Sequence, residues 1–102
     1  MSDLYKIVFE LVKQVPSGWV TTYGDIAMWT GNPRRSRIIG AAMARCSDEA
    51  VPCHRVVKKD GTLPPSFGLG GSQWQRFLLE SEGVVFLPDG RVDMSQHLWI
   101  LK

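Results

Sequence analysis

Apolar residues in the first fifteen positions recur at helical spacing: Leu4, Ile7, Val8, Leu11, Val12 and Val15 fall three or four apart and form one face. Ser2 or Asp3 can cap this helix, and Pro16-Ser17-Gly18 ends it. After a brief extended piece at 19–21, Thr22 and Asp25 form the Thr-x-x-Asp pattern that satisfies free amides at a helix start, so a short helix to about Trp29 follows. "TGNP" (30–33) is a turn and a restart: Gly31 supplies backbone freedom, Asn32 can cap, and Pro33 suits a first helical position. The next helix runs to about Ala44 and offers Ile38, Ile39, Ala42 and Met43 for packing. Two short helices joined by a tight glycine-containing turn are the pattern of a helix-turn-helix.

Beyond Ala44 the periodicity changes. "RVVKKDGTL" (55–63) predicts a hairpin turning at Lys59-Asp60-Gly61. "PPSFGLGGS" (64–72) holds too much Pro and Gly for regular structure and is either a mobile linker or a shaped binding loop. A helix from about Gln73 to Glu82 turns Trp74, Phe77 and Leu78 inward and ends at Gly83. A second small hairpin around Pro88-Asp89-Gly90 follows, and the tail packs back through Leu98, Trp99 and Ile100. The fold class expected is mainly α with short β-hairpins, a winged-helix-like domain spanning 1–102.

Composition narrows this picture. A chain of 102 residues buries only roughly 60–65 % of its unfolded surface and has room for one core. Its 44 % apolar and 22 % charged residues are those of an ordinary globular chain. The net charge of +2 says little about a nucleic-acid partner, so the placement of the positive groups matters more. Arg34, Arg35, Arg37 and Arg45 share one window with the small residues Gly40, Ala41 and Ala44. A helix surface of small residues lets its backbone approach another surface, and arginines beside it offer phosphate contacts; the alternative is a helix packed tightly on its own domain. No secretory leader and no membrane-length apolar run is visible, so the expectation is a cytoplasmic protein with Cys46 and Cys53 as thiols.

The chemistry concentrates in "VPCHRVV" (51–57). A thiol with a reference pKa of about 8.5 needs a base or a nearby positive charge to be mostly thiolate at neutral pH, and histidine suits that task directly or through a water. Adjacent residues of an extended strand point to opposite faces, so the adjacency of Cys53 and His54 does not establish contact. Glu80 or Glu82, at the end of the later helix, can orient the imidazole as the third member of a nucleophile, base and orienter set. The competing readings are an inert buried cysteine and a metal ligand. The spacing of Cys46, Cys53, His54 and His97 is not that of a zinc module, and no metal is expected.

"PCHRV" (52–56), with "TTYGDIA" (21–27) and "GNPRRSRIIGAAM" (31–43) upstream, resembles the C-terminal domain of O6-alkylguanine-DNA alkyltransferases and of their relatives, the alkyltransferase-like proteins. The likeness runs from about residue 4 to residue 83 with the motifs in order. It implies a monomeric domain, without cofactor, that binds the minor groove of double-stranded DNA and flips O6-alkylguanine into a pocket. It implies that Tyr23 presses on the phosphate of the flipped nucleotide and that Arg37 fills the vacated space. Arg34, Arg35, Gly40 and Ala41 complete the DNA-contacting face. It further implies that Cys53 is the alkyl acceptor, His54 the base acting through water, and Glu82 the carboxylate that orients His54. Pro52, the Val56 carbonyl and the 64–72 loop, with Phe67 and Gly68, would line the pocket.

Departures from the pattern divide the functional expectation. The alkyltransferases usually carry an additional N-terminal domain, which this chain lacks, and an Asn where Cys46 stands. The loop at 63–72 is longer than theirs, and Phe67 stands where no hydroxyl can reach the guanine. Those features resemble alkyltransferase-like proteins, which mark the lesion for other machinery such as nucleotide-excision repair proteins; but those typically replace the cysteine by tryptophan, and Cys53 is kept. Two readings follow, a single-turnover methyltransferase and a non-enzymatic lesion sensor. A third, a helix-turn-helix regulator reading the major groove, needs no Cys-His pair.

Overall fold

The computed structural model describes residues 3–44, 50–65 and 71–101. Its elements are α1 (Asp3–Lys13), β1 (Thr21–Thr22), α2 (Tyr23–Trp29), a 3₁₀ turn (Pro33–Arg35), α3 (Ser36–Ala44), a second 3₁₀ turn (Cys53–Arg55), β2 (Val56–Val57), α4 (Gly71–Ser81) and α5 (Met94–His97).

Capping follows the sequence closely. Thr22 keeps an extended backbone, so it ends β1 and caps α2, its hydroxyl accepting from the Asp25 amide at 3.1 Å. Asn32 likewise accepts from the Arg34 amide at 3.0 Å, with Pro33 as first residue of the turn that leads into α3. These caps fix where the helix pair starts and restarts.

Two groups of apolar side chains hold the domain together. The first joins Val8 and Val12 of α1, Ile26 and Ala27 of α2, Ile39 and Ala42 of α3, and Val51 and Val56 from the segment around the second 3₁₀ turn; Tyr23, Trp29, Met43 and Cys53 pack against it. The second joins Val20, Val57, Leu79, Val84 and Val92. Each fully buried side chain of this size contributes roughly 1.5–3 kcal/mol. Ile7 and Ile38, expected inward, stand half exposed, because the buried stripes pass through Val8 and Val12 on α1 and through Ile39 and Ala42 on α3.

The expected hairpin at 55–63 is corrected. Val56 and Val57 are both buried, and β2 pairs in parallel with β1 (Thr21 opposite Val56, Thr22 opposite Val57) instead of folding back on its own turn. A strand covered on both faces needs an interior neighbour. What remains of the hairpin is the turn itself, with Lys58 N–H donating to the Thr62 carbonyl at 3.0 Å and Gly61 N–H to the Lys58 carbonyl at 2.8 Å. The second hairpin is present, closed by Leu87 N–H to the Arg91 carbonyl at 2.7 Å and by an antiparallel bridge from Phe86 to Val92.

α4 is turned differently from its expected orientation. Trp74 and Phe77 are 47 % and 59 % exposed and stack on each other with centroids 5.4 Å apart; Leu78 is half-buried, and the fully buried residues are Gln75 and Leu79. Carbonyls of the Cys53 segment lie beneath this helix and need donors, which an aromatic face cannot supply.

The tail docks as expected through Leu98 and Trp99. Val20 N–H donates to the His97 carbonyl at 2.9 Å, Trp99 N–H donates to the Val20 carbonyl at 2.8 Å, and Trp99 meets Trp29 edge-on at 5.6 Å. Ile100 is exposed, contrary to expectation. His97 secures the docking from both ring nitrogens: Nδ1–H donates to the Gly18 carbonyl at 2.8 Å, and Nε2 accepts from Val85 N–H at 2.9 Å.

Gly61 has φ of +91°, and a Cβ there would lie 2.6 Å from the Val92 carbonyl oxygen, whereas Gly31, at φ of +99°, has open space around the same position. Gly61→Ala is therefore expected to cost ~2 kcal/mol or more and to lower the thermal midpoint by about 10 °C, while Gly31→Ala carries only the backbone penalty of ~1–2 kcal/mol. Thermal unfolding of the two variants side by side checks this, and equal losses would refute the clash.

Candidate functional site

Two surfaces carry the residues singled out from the sequence, and both rest on the first core group. On the helix pair, Tyr23 is the first residue of α2, half-buried against that core. Burial raises the pKa of its hydroxyl, which keeps the phenol protonated and able to donate. On α3, Arg37, Ala41 and Ala44 are exposed, and a Cβ added at Gly40 would meet nothing within 4 Å. The small residues thus form an open strip rather than a contact with the protein's own interior, which disposes of the self-packing alternative. Arg34 is exposed beside them. Arg35 is half-buried, and its Nη1 donates to the Thr30 carbonyl at 3.2 Å, so part of its donor capacity holds the turn between the helices.

The second surface is the turn at Cys53–Arg55. Pro52, at φ −77° and ψ 67°, forms an inverse γ-turn in which Cys53 N–H donates to the Val51 carbonyl at 2.8 Å. The proline ring holds φ near this value, so the residue type and the turn agree. Arg55 N–H then donates to the Pro52 carbonyl at 3.0 Å and Val56 N–H to the Cys53 carbonyl. Cys53 and His54 therefore stand on one helical turn, not on an extended strand with opposed faces.

α4 grips this turn from above along one face, where Gln75, Leu79 and Glu82 follow at spacings of four and three. Gln75 Nε2 donates to the carbonyls of His54 and Val56, both at 3.0 Å. Glu82, just past the helix, accepts from His54 Nε2 at 2.9 Å and from Arg55 Nη2 at 2.7 Å on Oε2, and from Arg55 Nε at 3.0 Å on Oε1. Glu80, the other carboxylate considered from sequence, instead pairs with Arg76 on the exposed side at 3.4 Å. Burial pushes the Glu82 pKa up, but the hydrogen bonds and charges of Arg55 and His54 outweigh it and hold the carboxyl below its ordinary 4.5. An ionised carboxylate only accepts, so His54 carries a proton on Nε2 and donates it to Glu82.

Cys53 itself departs from expectation: it is disulfide-bonded rather than a thiol. Cys46, the chain's one other cysteine, lies outside the described residues, as do Arg45, Phe67 and Gly68. The thiol expectation came from the compartment assigned to the chain. A sulfur in a disulfide is no nucleophile until two electrons reduce it. Pro52 is half-buried and Val56 buried, its carbonyl engaged by Gln75. Among the described residues no three His, Cys, Asp or Glu side chains come together as a metal site, and no helix is long and apolar enough to cross a membrane.

Arg55 and Gln75 are the two contributors that sequence reading missed. Gln75 carried a signal, since it shares a helix face with Glu82; Arg55 carried only its place next to His54.

Because Glu82 titrates below its unfolded value, it stabilises the fold above pH 4.5, and that contribution is lost as the pH falls through its folded pKa. The stability gap between the protein and Glu82→Gln, followed by thermal unfolding, is expected to be full above pH 4.5 and to close below it. A gap that persists unchanged in strong acid would refute the ion-paired state.

With this geometry in place, likeness to known proteins becomes informative. Residues 3–84 match the family described as 6-O-methylguanine DNA methyltransferase, DNA binding domain. The DNA base-flipping protein of Escherichia coli is 38 % identical over 93 residues, which cover 90 % of this chain and 70 % of that protein. Alkyltransferase-like protein 1 of Schizosaccharomyces pombe is 35 % identical over 104 residues, covering 97 % and 96 %. The crystal structure of S. pombe Atl1 in complex with damaged DNA containing O6-carboxymethylguanine superposes with a TM-score of 0.85 at 34 % identity, over 99 % of this chain and 98 % of that one. The extent and agreement of these matches lead to one conclusion: the chain belongs to the family of the 6-O-methylguanine DNA methyltransferase DNA-binding domain.

Proposed function

We propose that this protein is a DNA repair protein that binds the minor groove of duplex DNA and recognises O6-alkylguanine by flipping it out of the stack. The observation that carries this reading is the open strip of Gly40, Ala41 and Ala44 on the second helix of the pair, flanked by exposed Arg34 and Arg37. A groove wall can approach that strip closely, and the arginines meet phosphate and the gap left in the stack. Extruding a base costs a few kcal/mol, which a planar guanidinium in the vacated space offsets by stacking and hydrogen bonding; this is the role we assign to Arg37. Tyr23, protonated and rigidly seated at the start of α2, is assigned to the phosphate of the extruded nucleotide. Pro52, Val56 and the 64–72 segment, with Phe67 and Gly68, are assigned to the pocket. The base-flipping relative and the complex with damaged DNA support this reading. Action as a monomer, delivery of the lesion to nucleotide-excision repair proteins, and one functional unit over 1–102 belong to the same proposal.

A second reading, transfer of the alkyl group to Cys53, is favoured by His54, which stands on the cysteine's own turn and is bonded to Glu82. Cys53 must first be released from its disulfide by a thiol reductant. The reduced thiol then gives its proton to His54 through water, the thiolate sulfur bonds to the alkyl carbon, and the carbon–oxygen bond breaks with its electron pair going to guanine, which takes up a proton. The thioether formed is not hydrolysed, so turnover is single.

Anisotropy titrations with a duplex carrying one O6-methylguanine and its unmodified twin test the first reading. A clear preference for the lesion is expected; equal affinities would sink it. Arg37→Ala should reduce the preference on the order of tenfold, in line with the ~1–3 kcal/mol of one specific arginine contact. For the second reading, reduced protein incubated with the lesion duplex should gain one methyl on the Cys53 peptide by mass spectrometry, and bound protein without adduct refutes it.

A further inference from the structure

Arg55 stands apart from the other arginines near the site, because its whole guanidinium faces inward. Nε and Nη2 take both oxygens of Glu82 at 3.0 and 2.7 Å, Nη1 donates to the Val15 carbonyl at 2.8 Å, and the side chain is only 16 % exposed. All three of its nitrogens are thus engaged inside the protein, by three of the five N–H donors that the group carries. Val15 lies just past the end of α1, where a helix presents its partial negative charge, so the cation is held between a carboxylate and a helix terminus.

We propose that Arg55 is a positioning residue for His54: by forking onto Glu82 and offsetting its charge, it makes the carboxylate an orienter of the imidazole and weakens the pull of that carboxylate for a second proton on the ring.

The argument has a geometric and an electrostatic part. Glu82 Oε1 accepts only from Arg55, and Oε2 is shared between Arg55 Nη2 and His54 Nε2, so the fork sets the plane of the carboxylate and thereby the direction in which the ring is held. A lone carboxylate beside an imidazole draws the second proton onto the ring; with a guanidinium on the same carboxylate, much of that pull is cancelled. The charged groups acting on Glu82 are His54 and Arg55, while Glu80 pairs with Arg76 and does not enter the cluster. Gln75 braces the His54 and Val56 carbonyls independently of Arg55, so the main-chain turn does not depend on the fork. That this imidazole serves alkyl transfer rests on the second reading above; the state of the imidazole does not.

The test is NMR titration of the ¹⁵N-labelled His54 ring in the reduced full chain without DNA, comparing the protein with Arg55→Gln and Arg55→Lys. In Arg55→Gln the ring is expected to take up its second proton about one pH unit higher than in the unsubstituted protein, on the scale of a removed neighbouring charge. Arg55→Lys retains the charge, so it should restore the midpoint. Should Arg55→Gln fail to fold, a chain with citrulline at position 55, made by ligation at Cys53, keeps the shape without the charge and carries the same expectation. A folded neutral variant with an unchanged midpoint overturns the proposal. Because no DNA is present, failure of lesion binding or alkyl transfer leaves this result intact, and the reverse holds equally.

Discussion

The Glu82 carboxylate is the point on which the site's architecture turns. It receives Arg55 on both oxygens and His54 on one, and Arg55 in turn reaches the end of α1 at Val15. Three segments that are distant in sequence are fixed to one another by a single ionised group. The cost of placing such a carboxylate at 16 % side-chain exposure is met by two nitrogens of a fork and one of a ring, and the bidentate geometry leaves the group little freedom to turn. Removing one partner of such a cluster leaves the others as poorly compensated charges, so the cluster forms or fails as a unit.

Shared side chains likewise join the two surfaces. Val56 belongs at once to the turn segment, to β2 and to the first core group, which also holds Ile26 of α2 and Ile39 of α3. The parallel pairing of β2 with β1 leads directly into Thr22 and its cap on α2. Tyr23 and the cysteine turn are thus placed relative to each other by buried valines and the paired strand residues. A helix pair rigidly joined to a chemically equipped turn suits a protein that must hold a duplex and an extruded base together.

Local signals in the sequence were readable, and long-range ones were not. Thr22, Asn32 and Pro33 act through neighbours within three residues, so their caps appear where the pattern put them. The Pro88-Asp89-Gly90 hairpin is likewise local. Pairing of β2 with β1 joins residues 35 positions apart, and nothing in "RVVKKDGTL" records it. α4 misled for a different reason. Its strongest apolar residues, Trp74 and Phe77, lie on the exposed side, since the interior there is lined with carbonyls and selects Gln75. At the site, the pairing of His54 with Glu82 was expected and is present, whereas the inward fork of Arg55 was hidden behind an identity that usually signals a surface charge.

Recognition and chemistry are separable in this arrangement. The strip on α3 and the seat of Tyr23 are both present in a chain whose Cys53 is disulfide-bonded. The transfer reading adds one requirement, a reduced Cys53 beside His54. His54 is held by α4 through Glu82 and Gln75, and Glu82 is tied to the end of α1 through Arg55. The lesion-binding reading therefore stands independently of the transfer reading.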